Sequence, residues 1–278
     1  MMTLLIKTAK KTPLVVVGLG LCLLWIALSI LAPLISPYQP NIQDLSARFQ
    51  PPSPQHWFGT DKMGRDVFSR VIWGGRISLP AGILVIACSM LFGSVVGAVA
   101  GYSGKVADDI LMRISDIVMS FPSIILAMAI AAAPGRNILN SVFAIVIVWW
   151  PKYARMMRGL VMSVKKSEYV AGAVAMGEGR MAVLLRTIVP NCISQLLVMA
   201  SVDMGNAILI FAGLGFLGLG VAPPTAEWGS LVSDGVKVLE YWWTAFFPGL
   251  AIFTVSMGFN FIGDTVRDML DPRLRRQL

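Results

Sequence analysis

A reaction centre in this chain of 278 residues would have to be assembled from 15 acidic residues, a single histidine and three cysteines. Cys22, Cys88 and Cys192 lie in or beside apolar stretches without C-x-x-C spacing, and His56 has no second imidazole to join it. Neither a zinc site nor a disulfide framework is expected. Gly104-Lys105 is followed by Val106 rather than Ser or Thr, so no loop has the form that cradles a nucleotide phosphate. What remains does not group into nucleophile, base and orienting acid. Catalytic, cofactor-binding and metal-ligating residues are all expected to be absent.

Polar side chains at unusual places are the more informative ones. Asp203 has apolar residues on both sides, and a carboxylate at the centre of a membrane helix costs about 2.5–3.5 kcal/mol on insertion scales. Asn206 follows one helical turn later. Together they read either as part of a translocation cavity or subunit interface, or as a protonated or hydrogen-bonded helix contact. Arg113 and Asp116 share a helix face and read as a local ion pair near the inner membrane surface, with a relay of motion as the alternative. An intramembrane enzyme would have to use Asp203 and Asp116, which fall in different spans and belong to no catalytic motif. The run Gly213 to Gly220 satisfies G-x-G-x-x-G, but it closes an apolar span and leads into Pro223-Pro224. A dinucleotide fingerprint needs a preceding strand and a later ribose-binding acid. Close helix approach and a bend near the outer surface are expected instead.

The elements that must position these residues are membrane helices. Hydrophobic residues make up 56% of the chain, charged ones 14%, and the mean hydropathy is +0.73, a composition that belongs in a bilayer. The net charge of +8 does not indicate nucleic acid, because most charges sit between apolar blocks. A hydrocarbon core of roughly 30 Å needs about 20 helical residues, and the backbone within it must satisfy its own hydrogen bonds. An all-α, polytopic fold with six transmembrane helices is expected, over Leu14–Ile35, Leu79–Ala100, Ile114–Ala133, Ile138–Trp150, Val189–Leu219 and Trp242–Ile262. The fourth is short, ending before Pro151 and Lys152, and the fifth is long enough that its glycine-rich end should bend away. The first is too long for a signal peptide and lacks an A-x-A exit, so it is expected to remain uncleaved. With both termini inside, most of the 23 Lys and Arg fall on the cytoplasmic side.

This divides the chain into a cytoplasmic tail at 1–13, a first span at 14–35, an extracytoplasmic loop at 36–78, a five-helix domain at 79–264 and a cytoplasmic tail at 265–278. Within the first loop, Met63, Val67, Phe68, Val71 and Ile72 predict a helix lying along the membrane surface. Gly93, Gly97 and Gly101 recur every fourth residue and predict a face for close packing against a helix of this chain or of a partner. The outer loop from Ala222 to Trp243 carries Glu227, Trp228 and Asp234, acids and an aromatic suited to a membrane interface or a docking rim. The mixed-charge tail from Arg267 to Arg276 is expected to be solvated or to sense anionic lipid.

Between the fourth and fifth spans, at about 158–190, a short helix has both ends marked. Ser167 can cap it, Glu168 complements the positive end of its dipole, and Gly177 can adopt the left-handed conformation that stops it. On spacing alone it is either an interfacial connector or a docking element. The order Glu168, Gly172-Ala173, Gly177, then Thr187-Ile188-Val189-Pro190 resembles the EAA loop of ABC-importer permeases. Gly172 replaces the usual first alanine. His56-Trp57-Phe58-Gly59-Thr60-Asp61, Gly64-Arg65-Asp66 and Asp271-Pro272-Arg273 extend the resemblance and narrow it to the C-type subunit of the dipeptide, oligopeptide and nickel permeases.

The resemblance implies a type I ABC-importer permease fold in the bacterial inner membrane, with no cofactor in this chain. Its implied partners are a B-type permease, two ABC ATPases that bind ATP and Mg, an extracytoplasmic substrate-binding protein and membrane lipid. Glu168, Tyr169, Gly172, Ala173, Gly177 and Pro190 become the expected ATPase-docking residues. Short peptides are the implied cargo, with nickel or a metal chelate as the alternative.

Overall fold

The computed structural model describes residues 13–270. Tail residues Lys7, Lys10, Lys11, Asp271, Arg273, Arg275 and Arg276, and the Asp271-Pro272-Arg273 motif, lie outside them. The described residues are predominantly helical, with a long irregular stretch at 36–66, and contain no strand, only an isolated bridge between Thr60 and Asp66. The principal helices are α1 (Pro13–Ile30), α2 (Val67–Ser103), α3 (Lys105–Met119), α4 (Ser123–Ala132), α5 (Ile138–Val164), α6 (Glu168–Ala175), α7 (Val189–Phe216), α8 (Trp228–Val236) and α9 (Trp243–Leu270).

Three stretches are long and apolar enough to cross a membrane: Val67–Ser103, Arg180–Phe216 and Trp243–Asp268. A fourth arises if α3 and α4 together form one broken span, their axes differing by 89°. The expected continuous third span is thus corrected. Ser120 ends α3, the chain bends at Phe121, and Pro122, at φ −56° and ψ 122°, leads into Ser123, as expected where a proline cannot continue the preceding helix. The interfacial helix expected in the first loop is corrected as well. Helix begins only at Val67, where the Asp66 carboxylate accepts from Ser69 N at 2.7 Å, and it runs unbroken for 37 residues past Pro80. Val67, Val71 and Ile72 are buried within the protein rather than laid on a membrane surface.

The helix expected as a short fourth span extends well past Trp150 and is not among the stretches apolar enough to qualify as a crossing. α5 continues through Pro151 and Lys152 to Val164, so Lys152 is an intrahelical residue and not the start of a loop. At the other end of the chain, α9 extends beyond Ile262 to Leu270, into the region expected to be tail.

Helix association in lipid relies on close packing, because hydrocarbon supplies little hydrophobic drive between helices. α2 and α5 meet that way. A Cβ added to Gly93 would lie 2.5 Å from the Trp150 carbonyl, and one on Gly101 would lie 3.0 Å from that of Arg158. Gly97 would clash with the Ala154 carbonyl. The neighbour of the glycine stripe is therefore α5 of the same chain. Gly205 and Gly263 do the same between α7 and α9, and Gly18 and Gly258 between α1 and α9.

Candidate functional site

Three groups of predicted site residues occupy three separate places. The first is the segment after α5. Its helix, α6, ends in a Schellman arrangement: Glu178 N donates to Ala173 O at 3.2 Å, Gly177 N donates to Val174 O at 3.0 Å, and Gly177 has φ +85°. The stop at Gly177 is as read. The start is not, because the Ser167 hydroxyl donates backward to Val164 O at 2.6 Å and caps no amide of α6.

Val170 and Ala173 point into the core, in a cluster with Val183, Leu184 and Ile188. The opposite surface is open: Glu168, Gly172 and Pro190 are exposed, as are Tyr169, Val174 and Met176. Nothing lies within 4 Å of a Cβ added to Gly172, so alanine would fit there. After Gly179, residues Val183–Ile188 are π-helical and lead directly into α7. Such wide turns tend to occur at functional positions.

The second place is the middle of α5 and α7. Asp203 is held by Lys152, with Nζ to Oδ2 at 2.7 Å, and by the Tyr153 hydroxyl, which donates to the same oxygen at 2.8 Å. The Lys152 ammonium also sits 3.9 Å from the centre of the Trp149 ring, within the range of a cation–π contact. Lys152, Trp149 and Asn206 line a cavity of about 430 Å³ together with residues of α3 and α4. Asp203 and Asn206 are thus brought to one region, and Asp203 is a paired carboxylate.

Sequence reasoning missed Lys152 and Tyr153 because a lysine after Trp-Trp-Pro was taken as the end of a span. A usable signal was present. Lys152, Arg155 and Arg158 recur every third residue, the spacing of one helix face, and each meets an acid from another helix. Asp116 contacts Arg155, and Asp108 contacts Arg158 in a bidentate pair. The expected Arg113–Asp116 pair is therefore corrected: Arg113 is exposed, while Asp116 reaches across to α5.

The third place is the outer loop, where the docking expectation for Glu227 and Trp228 is overturned. Both are fully buried at 0% exposure. Glu227 caps α8, accepting from Gly229 N at 2.7 Å and Ser230 N at 2.8 Å, and receives the Ser78 hydroxyl at 3.3 Å. Burial pushes its carboxyl above the ordinary carboxylate range, against the opposing effect of these donors. Gly215 of the G-x-G-x-x-G run leaves space for the carboxylate, Gly220 leaves space for the Gly215 backbone, and Gly74 and Gly75 leave space for the Trp228 ring. Trp228 Nε1 donates to Val71 O at 2.8 Å. Asp234 remains partly exposed, paired with Lys62 at 2.7 Å.

A family model described as the binding-protein-dependent transport system inner membrane component matches residues 93–276, about two-thirds of the chain. The chain belongs to this family. A second model, the N-terminal transmembrane domain of oligopeptide transport permease C, matches residues 4–52. The permease is 44% identical over 270 residues to the probable D,D-dipeptide transport system permease protein of Escherichia coli, covering 97% of this chain and 91% of the relative. It is 41% identical over 270 residues to a dipeptide transport system permease protein of Alkalihalophilus pseudofirmus, covering 97% and 89%. An oligopeptide transport system permease protein of Bacillus subtilis is 37% identical over 268 residues, covering 96% and 88%. Membership makes the chain a transport permease subunit of the membrane, in keeping with its apolar, helical composition.

Proposed function

We propose that this chain is one of two membrane subunits of an ATP-driven importer of short peptides, working beside a B-type permease, on two cytoplasmic ATPases that hold the ATP and Mg, beneath an extracytoplasmic binding protein. In this reading the chain crosses the bacterial inner membrane six times with both termini inside, α1, the α3–α4 pair and α5 being the crossings shortest, most bent or most charged. Peptide cargo is favoured over nickel because the relatives are named for dipeptide, D,D-dipeptide and oligopeptide transport.

The observation that carries the reading is α6. A short helix anchored by Val170 and Ala173, and otherwise displaying Tyr169, Val174 and Met176, has the form of a ball waiting for a socket on the motor. Glu168, Tyr169, Gly172, Ala173, Gly177 and Pro190 are assigned to that docking element. ATP binding closes the ATPase pair, α6 moves with it, and the displacement passes through the π-helical turn to α7 and so to the cavity lined by Lys152 and Asn206, beside Asp203. Arg113 is left as an exposed cytoplasmic-side charge. Of the outer-loop candidates, only Asp234 is accessible to a binding protein.

Gly177 tests the coupling. Its positive φ disfavours any β-branched side chain, a strain of order 1–3 kcal/mol, although a Cβ there would meet nothing within 4 Å. Gly177→Val in the reconstituted importer is expected to keep ATP hydrolysis while peptide uptake falls at least tenfold. Uptake per ATP equal to wild type would refute the assignment of α6.

A further inference from the structure

We infer that Lys152, Asp203 and Asn206 form a receptor for the two charged ends of a zwitterionic short peptide, inside the membrane-embedded part of this subunit. The inference rests on the peptide-importer reading and adds to it a recognition step in the permease itself.

Three features of the site lead there. The first is unused bonding capacity. The Lys152 ammonium and the Tyr153 hydroxyl both converge on Asp203 Oδ2, and among the described residues no group is bonded to Asp203 Oδ1 or to the Asn206 amide. An ammonium has three N–H donors, an ionised carboxylate several acceptor sites, and an amide both kinds. Lys152 and the exposed Asn206 bring this surplus to the cavity wall, and the Asp203 carboxylate adjoins the wall through Lys152.

The second is the division of the walls. Lys152 and Asn206 lie on the cavity beside Trp149, whereas Val118, Val148, Leu209 and Ile210 are apolar. Ser123 is the remaining hydroxyl on the lining. The polar side offers one cation, one neighbouring anion and an amide, and the rest accepts hydrocarbon. That combination suits what all short peptides share, an α-carboxylate for Lys152 and the Asn206 amide and an α-ammonium for Asp203, while leaving variable side chains to unspecific apolar contact.

The third is size. A cavity of about 430 Å³ falls in the range of roughly 300–1,000 Å³ typical of small-ligand sites. The pair is also reachable, with 28% of the Lys152 side chain and 13% of the Asp203 side chain exposed. Asp203 and Asn206 are one helical turn apart on α7, and Lys152 projects from the facing α5. A shift between these two helices would separate anion from cation and so release a ligand that bridges them.

The experiment uses the complete importer complex in lipid nanodiscs without binding protein, and equilibrium binding of radiolabelled dialanine, N-acetyl-dialanine and dialanine amide. Wild type is expected to bind dialanine saturably and each blocked form at least tenfold more weakly. Asp203→Asn is expected to weaken dialanine at least tenfold but to leave N-acetyl-dialanine unchanged, since that ligand has no ammonium to lose. Lys152→Met should show the mirror pattern, weakening dialanine and sparing the amide, and Lys152→Arg should restore binding to within about threefold. Asn206→Ala, which touches no ion pair, provides a variant expected to assemble normally and to bind dialanine several-fold more weakly. Equal losses for blocked and free ligands in assembled variants, or no loss at all, would overturn the receptor. If wild type still carries out ATP-driven peptide uptake with its binding protein in that case, the importer reading stands without it; absence of such uptake would remove both.

Discussion

The outer cap and the α6 segment are built by opposite rules. At the cap, polar groups are buried and tied across distant parts of the chain: Trp228 to Val71, Trp243 Nε1 to Thr60 O at 3.1 Å, Arg70 to Pro40 O at 2.8 Å, and His56 to Asp66 at 2.9 Å. At α6 two small side chains face the core and the remainder of the helix is exposed. Buried networks of this kind hold one arrangement, whereas a lightly packed helix is drawn from the low-stability end of a fold. One end of the molecule therefore resists displacement and the other is free to follow a partner.

Substitution should separate the ends most sharply at the two aromatic residues. Trp228→Ala is expected to destabilise the purified complex by about 3–5 kcal/mol, whereas exposed Tyr169→Ala should leave stability within about 0.5 kcal/mol and instead lower coupled uptake. Thermal unfolding and proteoliposome uptake on both variants read the contrast. Similar stability losses would erase the distinction between a fixed cap and a moving helix.

A smaller effect concerns protonation at the cap. Because the folded Glu227 carboxyl titrates above its unfolded value, its contribution to stability is fully present below the unfolded pKa and declines as pH rises toward the folded pKa. Glu227→Gln removes that titration. The variant should gain relative to wild type as pH is raised from the acidic side, in paired unfolding series at several pH values. A constant difference across the series would place the burial effect elsewhere.

The smallest expected change is at α6 itself. Gly172→Ala meets empty space and replaces the poorest non-proline helix former with the best, a gain of up to about 1 kcal/mol. Local amide hydrogen exchange over residues 168–175 should slow, with uptake retained. Loss of uptake would mean that the motor sits directly on the Gly172 backbone.

These contrasts also explain what could be read from sequence. Gly177 was legible because a left-handed stop requires no tertiary information, and the stripe at Gly93, Gly97 and Gly101 because its period is that of a helix face. Asp203 was visible as a misplaced charge, but its partner was not. Lys152 follows a proline, and a basic residue at the edge of an apolar run carries the same local pattern whether it ends a span or sits within a longer helix. Glu227 and Trp228 failed for the complementary reason. Their burial depends on Gly74 and Gly75, about 150 residues earlier, and on Gly215 across a turn, which vacate room that the pattern of the loop itself does not reveal. The bend between α3 and α4 was encoded in Phe121-Pro122 yet hidden because apolar residues resume at once on both sides, in Ile117-Val118-Met119 and Ile124-Ile125-Leu126.

The π-helical stretch Val183–Ile188 has one further implication, for insertions and deletions. Bonds to the fifth residue back accommodate a surplus amino acid within a single wide turn, so shortening the chain there by one position can restore a regular spiral while Asp203 keeps its azimuth. The same deletion a few residues later, in α7, would rotate everything downstream by about 100°. Within the stretch from Arg180 to Phe216, a one-residue deletion is therefore expected to disturb the placement of Asp203 least between Val183 and Ile188.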